Sequence, residues 1–381
     1  MATIADKLTT IAGIKTDIRT AINGKGGSLT SGSPFSAYSA AISSLPSGGG
    51  GYPPDWSQIG YTSTPQLVLD AFSHAKTIYD NWDPTVTRLN GKFSGDKSLV
   101  YLPIVDTSRA TSMDVMFYGC TNLTYVPLLD TSSCTSMNAT FAKCESISDV
   151  PQFDTSSVTN MQNMFSGATS LATTPSFNTS ACTNMYGTFA NCKSITGVPQ
   201  FDTSKVTSMH FMFFGCSGLT SMPQFNTSAC TDMAYWVADC SGLTSIPALE
   251  TGEVTNMDHM FNNCTSLKRI TSLDMGKCTN FNSMVGGFMG NLRFILLKGL
   301  GTPSGVTSYR DANMYDCTNW GVNSTEIPDA RQSLVDSLLT YSFDRAAAGY
   351  ATCTIQLSRN SYSQLTPQEL ADIQAKGYTI S

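Results

Sequence analysis

Three histidines are the first residues of this sequence that could support acid–base or metal chemistry. His210 and His259 are separated by two 24-residue repeats plus one residue, which is about 10 Å if repeats stack at the usual strand spacing. Two imidazoles that far apart cannot share a zinc ion, and His74 lies far from both in the chain. No glycine-rich phosphate loop follows a strand, and no nucleophile sits beside a suitable base. The sequence therefore predicts a protein that is not an enzyme and that binds neither a metal nor a cofactor.

Aspartates recur at one position of the repeat and suggest a second kind of chemistry. Their carboxylates could line up as a weak cation ladder, but asparagine replaces aspartate at positions 178 and 226. Both side chains bond nearby backbone donors, so turn formation explains both residue types. We predict that the Asp-Thr-Ser triplets turn the chain and cap a following helix. The recurring aspartates are Asp106, Asp130, Asp154, Asp202 and Asp274.

Aromatic side chains give the third possibility, a binding surface. When the repeats are aligned, aromatic residues concentrate in three consecutive units, at positions that are free to vary elsewhere. Clustered exposed rings commonly mark interaction sites, since they can stack on sugar faces or anchor a protein partner. The alternative is that these rings pack between neighbouring helices or subunits. The candidate binding residues are Tyr186, His210, Phe211, Phe214, Tyr235 and Trp236.

The elements that position these residues follow from a tandem repeat. Prolines recur at a strict 24-residue interval from Pro103 to Pro247, and methionines keep the same interval from Met113 to Met257. Such self-similarity is typical of solenoids, in which each unit buries its apolar face against its neighbours. Within a unit, Leu219–Phe225 indicates a short strand, and Val206, Met209, Phe213 and Cys216 step by 3, 4 and 3. That spacing predicts a helix of about three turns.

The fold prediction is therefore an α/β repeat solenoid of parallel strands and short helices with a cap at each end. We place a helical module at residues 1–46, a glycine-rich linker at 47–52 and the N-terminal cap at 53–96. The array covers 97–292 and the C-terminal cap 293–381. Inside the second cap we expect a strand at 292–300, a helix at 330–342, a strand at 352–357, a helix from Pro367 that ends at Gly377, and a strand at 378–380.

Composition excludes some partners. The chain has 381 residues, 13% of them charged, and a net charge of −6 with no basic run. This argues against a phosphate-tracking groove, and so against nucleic acid. No stretch approaches 18 consecutive apolar residues, so we expect no membrane insertion. Ten of the twelve cysteines stand at repeat positions otherwise held by small or apolar residues, and we expect them to be packed as reduced thiols.

The repeat resembles a known family. The string V-T-x-M-x-x-M-F-x-G-C-x-x-L-T-x-x-P, found from Val206 to Pro223 and again around Val158 and Val254, is similar to the BspA-like branch of leucine-rich repeats in bacterial surface proteins. Trp236 and Val237 replace its usual Met-Phe pair. The resemblance implies a leucine-rich-repeat solenoid that serves as an extracellular binding scaffold.

The N-terminal residues resemble a different group. ADKLTTIAGIKTDIRTAINGKGG followed by FSAYSAAISSL is similar to modules that open tail and fibre proteins of bacteriophages. Together with the absence of a readable signal peptide, it favours a virion protein that recognises the host surface as a tail fibre or receptor-binding component. A bacterial surface adhesin of the BspA-like family is one alternative, and a structural head-fibre or tail-connector protein is another. The expected partners are other virion proteins, a host cell-surface glycan or protein, and further copies of this chain, and the expected location is the virion exterior or else the bacterial surface.

The N-terminal module generates a first prediction. Its apolar residues advance by a mean of 3.6, which indicates one face of a helix, and we expect this face to attach the protein to a partner or to its own copies. Deleting residues 1–46 should leave the array folded but absent from particles, as a thermal melt and a particle pull-down would measure. Truncated protein that still incorporates would contradict the attachment role. The face consists of Ile4, Leu8, Ile11, Ile14, Ile18 and Ile22.

Overall fold

The computed structural model describes residues 74–75, 77–287, 289–300, 319–342, 344–348 and 351–381. The predicted helical module, its isoleucine face and the linker lie outside the described residues. Within the N-terminal cap, residues 74–75 and 77–80 are helical. None of the helices in the described part has the length and apolar character that crossing a lipid bilayer requires.

The array is a repeat solenoid in which each repeat makes one turn and stacks on the turn before it. We call one such 24-residue unit a rung. Parallel bridges join equivalent residues of successive rungs, and one apolar core runs continuously from Leu89 in the first rung to Tyr378 in the C-terminal cap. Most bridges within the described residues fall at one repeat position, which holds Arg88, Ser112, Ser136, Asn160, Asn184, Ser208, Asp232, Asn256 and Asn280, and a further bridge joins Tyr101 with Tyr125.

The predicted helix in each rung is wrong, because the segment folds as consecutive tight turns. We call these eight residues, for example 112–119, the turn segment. The Val115 amide donates to the Asn138 carbonyl of the next rung at 2.7 Å, whereas the Met116 amide donates back to Met113 at 3.1 Å. This alternation repeats along the segment and leaves no run of the bonds to the fourth preceding carbonyl that define an α-helix.

Two left-handed residues in each rung make this alternation possible. Phe211 has φ of 57° and Gly215 has φ of 70°, and every described rung repeats the pair. The second of these positions carries only glycine, asparagine, aspartate or lysine, residues that mostly tolerate positive φ well. The first carries Gly91, Val115, Ala139, Asn163, Gly187, Phe211, Tyr235, His259 and Ser283.

The predicted strands form fully only at the C-terminal end of the array. Strand β1 is Ser245–Ile246, β2 is Arg269–Asp274 and β3 is Phe294–Lys298, and they pair in parallel in that order. In earlier rungs a proline stands at the centre of the extended stretch and cannot donate to a ladder. The repeat interval puts Thr271 at this position in β2. The paired strands are therefore longer where the proline is absent.

Two columns of phenylalanine fill the core. From Phe93 to Phe213, rings at one repeat position stack with centroids 5.3–5.7 Å apart. A second column runs from Phe153 to Phe225 and contacts the first, for example with 5.8 Å between Phe189 and Phe201. Val206, Met209, Phe213 and Cys216 are each 0% exposed. The predicted core positions are therefore confirmed, although no helix presents them.

Polar ladders run beside the core. In each Asp-Thr-Ser triplet the aspartate accepts from the serine two residues on, and the buried threonine hydroxyl reaches the next rung, as Thr155 does to the Asn178 carbonyl at 2.9 Å. The triplets form turns as predicted, but no helix follows for them to cap. Asn178 makes the same turn with Ser180 at 3.1 Å.

The eleven described cysteines are buried free thiols. Those in the column of Cys216 contact a carbonyl of the preceding rung, such as Phe189 O at 3.0 Å. Burial raises the pKa of Cys120 and of Cys134 to about 11. These thiols therefore stay protonated at neutral pH and pack in the core like small apolar side chains.

The C-terminal cap follows the last rung, and its described elements include a short helix at Arg359–Tyr362 that the sequence did not predict. It contains α1 (Ala330–Val335), which continues as a π-helical turn (Asp336–Thr340), then β4 (Cys353–Ile355), α2 (Arg359–Tyr362), α3 (Pro367–Ala375) and β5 (Tyr378–Ile380). Strands β4 and β5 pair in parallel. Thr366 and Glu369 form a capping box, and the Tyr378 hydroxyl donates to Leu300 O at 2.6 Å. The cap is thus tied to the last rung.

The turn aspartates generate a prediction about acid stability. Hydrogen bonds from the serine two residues on lower the pKa of Asp106, Asp154 and Asp202. A carboxyl whose folded pKa lies below its unfolded value of about 4 stabilises the fold above that pH and loses the effect as pH falls through the folded pKa. Replacing all three by asparagine should therefore flatten the acid side of the stability profile while changing little at pH 7.

Urea unfolding at pH 7 and at pH 3 measures this difference. Asn178→Asp with Asn226→Asp is the reverse variant and should steepen the acid loss. Equal profiles for the three proteins would contradict the assignment.

Candidate binding face

Six aromatic side chains lie against one another across four consecutive turn segments, and all six are half-buried. We call this surface the aromatic face. Five of the residues are predicted binding candidates, and the sixth is a histidine that the candidate set did not include. The aromatic face consists of Tyr186, His210, Phe211, Phe214, Tyr235 and His259.

A parallel stack runs through the middle of the aromatic face. Tyr235 lies between His210, at 6.0 Å with an interplanar angle of 9°, and His259, at 4.6 Å with 5°. Phe211 lies 4.8 Å from Tyr235 and meets Phe214 edge-on at 5.3 Å. Tyr235 and His259 are equivalent residues of successive rungs, so their spacing follows from the repeat. His210 stands one repeat position earlier than these two.

Backbone conformation sets three of these rings apart. Phe211, Tyr235 and His259 occupy the first left-handed position, with φ of 57°, 53° and 54°. For a bulky residue this conformation costs about 1 kcal/mol relative to glycine. Elsewhere in the array the same position holds smaller side chains such as Ala139 and Asn163. The repeat thus holds three aromatic residues of successive rungs in a conformation that Val115 also adopts, with φ of 52°.

Two carboxylates pair with the histidines of the aromatic face. His210 Nδ1 lies 3.2 Å from Asp232 and His259 Nδ1 lies 3.0 Å from Asp258. The Asp232 side chain is 31% exposed and that of Asp258 is 20% exposed, so both carboxylates are reachable from solvent. Burial raises the pKa of the Tyr235 phenol, and the charge of Asp258 raises it further. The surface is both aromatic and acidic.

Basic side chains are missing from these turn segments. Residues 184–191, 208–215, 232–239 and 256–263 contain no lysine and no arginine. Their charged residues are Asp232, Asp239 and Asp258. The aromatic face therefore carries negative charge that no basic residue of its own segments offsets.

Comparison with known proteins identifies the repeat. A family model described as "Mycoplasma protein of unknown function, DUF285" matches residues 87–198 and 183–291, which together span more than half of the chain. The chain belongs to the DUF285 family. The match covers the string that resembles the BspA-like repeats, and it leaves residues 1–46 outside.

Two solved structures match part of the chain. A leucine rich cell surface protein from Faecalibacterium prausnitzii is 19% identical over 55% of this chain and 63% of its own, with a TM-score of 0.34. A leucine-rich repeat protein from Bacteroides ovatus is 14% identical over 57% of this chain and 80% of its own, with a TM-score of 0.22. This chain thus covers less than two thirds of the first structure. None of the curated proteins is significantly similar to this chain.

Trp236 is the one predicted binding residue that the structure removes from the surface of the DUF285 array. Its side chain is 0% exposed, and it meets Phe213 edge-on at 6.5 Å. The rung explains why, because Val237 stands where Phe213 and Phe261 fill the neighbouring rungs. The indole fills the volume that the smaller valine leaves. Its Nε1 is buried without a hydrogen-bond partner, which destabilises the fold. A buried indole cannot contact a binding partner that would compensate for this.

Sequence reasoning missed His259, Asp232 and Asp258 as members of this site. His259 stands one full repeat after Tyr235, so the repeat interval alone could have found it. Asp232 contacts a residue 22 positions earlier, and Asn184 with Gln162 makes the same kind of contact. The 22-residue separation of these contacts follows from the stacking of the turn segments, which a single repeat does not reveal.

The remaining candidates do not form a second site. His74 pairs with Asp96 at 2.8 Å, away from the aromatic face. Within the described residues, no three His, Cys, Asp or Glu side chains come together in a way that could hold a metal ion. The recurring aspartates instead accept from the residue two positions on, as Asp202 does from Ser204 and Asp274 from Gly276.

The packing of Trp236 generates a prediction about coupling. Trp236→Met alone should destabilise the fold by about 1–3 kcal/mol, because a cavity opens beside Val237. Val237→Phe alone should overpack the rung at a similar cost. The double variant recreates the Met-Phe pair found at Met212 and Phe213, so its free energy of unfolding should lie within about 1 kcal/mol of wild type.

Chemical denaturation of the four proteins gives the double-mutant cycle. Additive losses in the double variant would show that Trp236 does not fill the space beside Val237.

Proposed function

We propose that this protein is a non-enzymatic binding scaffold of adhesin type, presented on a bacterial cell surface, and that the aromatic face is its contact surface. The observation that carries the proposal is the row of bulky rings held at left-handed backbone positions in successive rungs. The solenoid serves to display that row, since each rung adds the same positions to one side of the rod.

Energetics support a binding role for the rings. A small or flexible residue at the first left-handed position would relieve the backbone, as Asn163 and Gly187 do in the two preceding rungs. Phe211 and Tyr235 instead keep apolar surface half-exposed, and clustered exposed rings are a common mark of interaction surfaces. A partner that covers these rings would recover the hydrophobic free energy that the free protein leaves unused.

A cell-surface role is preferred to the virion role. The virion hypothesis depends on residues 1–46, which the family match and the described structure do not include. The adhesin hypothesis depends on the repeat string, and this is the part that matches DUF285. The partners we propose are a glycan or protein on the contacted surface and, through further copies of the array, the chain itself.

Attachment assays test the role of the aromatic face. Beads coated with the full chain should adhere to epithelial monolayers or to bacterial lawns, and Phe211→Asn with Tyr235→Asn should remove most of that adhesion. Asparagine is already present at this repeat position at Asn163, so the fold should tolerate it. Relief of the left-handed strain offsets the lost ring contacts to within about 1 kcal/mol.

The matched control is Val115→Asn, which changes the same repeat position four rungs away from Phe211. It should adhere like wild type, and the thermal unfolding of all three proteins should agree within a few degrees. Adhesion that survives the double variant, or wild-type beads that adhere to neither surface, would refute the proposal.

A further inference from the structure

We infer that the aromatic face receives a positively charged protein segment, with arginine or lysine side chains placed between the rings and the carboxylates of Asp232 and Asp258. This inference rests on the proposed function and names the class of its partner. It depends on the charge, the ring geometry and the position of the carboxylates on one surface.

Charge complementarity is the first argument. The four turn segments that build the aromatic face carry Asp232, Asp239 and Asp258 and no basic residue. The whole chain has a net charge of −6, so the field around the face favours the approach of a cation. Asp232 already accepts hydrogen bonds from the Ala234 amide and from Asn256, and a cationic partner would add the opposite charge that a neutral or acidic partner lacks.

Ring geometry is the second argument. Tyr235 has a histidine ring against each of its faces. A pyranose ring needs an open aromatic face to stack on, and the histidines already occupy both faces of Tyr235, the ring at the centre of this surface. Phe214 stands nearly perpendicular to both Phe211 and Tyr235, with interplanar angles of 83° and 73°. A guanidinium can lie on such a ring while its nitrogens reach a carboxylate.

The position of the carboxylates is the third argument. His210 lies beside Asp232 of the next rung and the rings of Tyr186 and Tyr235. His259 faces Asp258 and Tyr235. Each carboxylate therefore stands next to the rings of the aromatic face, where a cation that lies on a ring can reach it.

The array itself supplies substitutions that the fold should accept. Asp232→Asn reproduces Asn256 and Asn184 at the same repeat position, and Asp258→Asn reproduces Asn282. His210→Gln reproduces Gln162, and His259→Asn reproduces Asn163. Asp154→Asn with Asp202→Asn is the matched charge control, because it removes two carboxylates from turns outside the aromatic face.

The experiment measures binding of a fluorescent dodecapeptide that alternates arginine with glycine, by anisotropy with the full chain. The comparison peptide has citrulline in place of arginine, which keeps the shape and removes the charge. We expect the arginine peptide to bind at pH 7.5 and the citrulline peptide to bind at least about tenfold more weakly. Asp232→Asn with Asp258→Asn should weaken arginine-peptide binding by about tenfold, whereas the control pair should leave it unchanged.

A second variant gives an independent readout. His210→Gln with His259→Asn keeps both carboxylates, so it should bind the arginine peptide at pH 7.5 much as wild type does, while its thermal unfolding stays close to wild type.

Several results would overturn the inference. These are equal binding of the arginine and citrulline peptides, or an equal loss in the control pair. Binding of neutral oligosaccharides that is lost in Phe211→Asn with Tyr235→Asn would assign the face to glycans, and dimerisation lost in that variant would assign it to a second copy. Failure of the proposed function is distinct, because it appears as cell adhesion that the same aromatic variant does not reduce.

Discussion

Every second backbone amide of a turn segment donates to a carbonyl of the next rung, and the rest of the array depends on this ladder. Val115 to Asn138 at 2.7 Å and Phe117 to Thr140 at 2.9 Å are examples. The amides between them bond within their own rung. Buried amides are thus paired without a helix or a continuous sheet, which satisfies the requirement that buried backbone polar groups find partners. The arrangement holds only if two residues of each segment adopt positive φ.

The ladder also fixes which side chains enter the core. With the backbone of each rung locked to the next, equivalent residues stand above one another, and the phenylalanine columns follow. A change of side-chain volume in one column must then be compensated within the same rung, because the neighbouring rungs keep a fixed spacing. Trp236 compensates in this way for the small side chain of Val237. The compensation leaves the indole nitrogen of Trp236 buried without a hydrogen-bond partner.

The same constraint produces the aromatic face. Aromatic side chains at the first left-handed position are held half-exposed beside their equivalents in the neighbouring rungs. Aromatic residues in successive rungs therefore stack without any other change in the rung. The repeat can therefore acquire or change a binding surface by substitution at one position per rung while its core and its hydrogen bonds stay as they are. His210 with Asp232 and His259 with Asp258 add charge to that surface through contacts of the same kind.

The sequence by itself determined the 24-residue interval, the apolar positions of each rung and the turn role of Asp-Thr-Ser. These properties are local or periodic, and residue type reports them directly. It also placed five of the aromatic residues in one group, because the interval aligns them. Only the tertiary structure decided that the turn segment is not a helix.

The steps of 3 and 4 between Val206, Met209, Phe213 and Cys216 suit a helix and a run of tight turns equally well. Bonds between rungs select the turns, and these bonds are invisible in a single repeat. Glycine, asparagine and aspartate at the second left-handed position were a signal for positive φ, but valine and aromatic residues at the first position gave none. The location of Trp236 likewise needed the structure, since only packing against Val237 separates a buried indole from an exposed one.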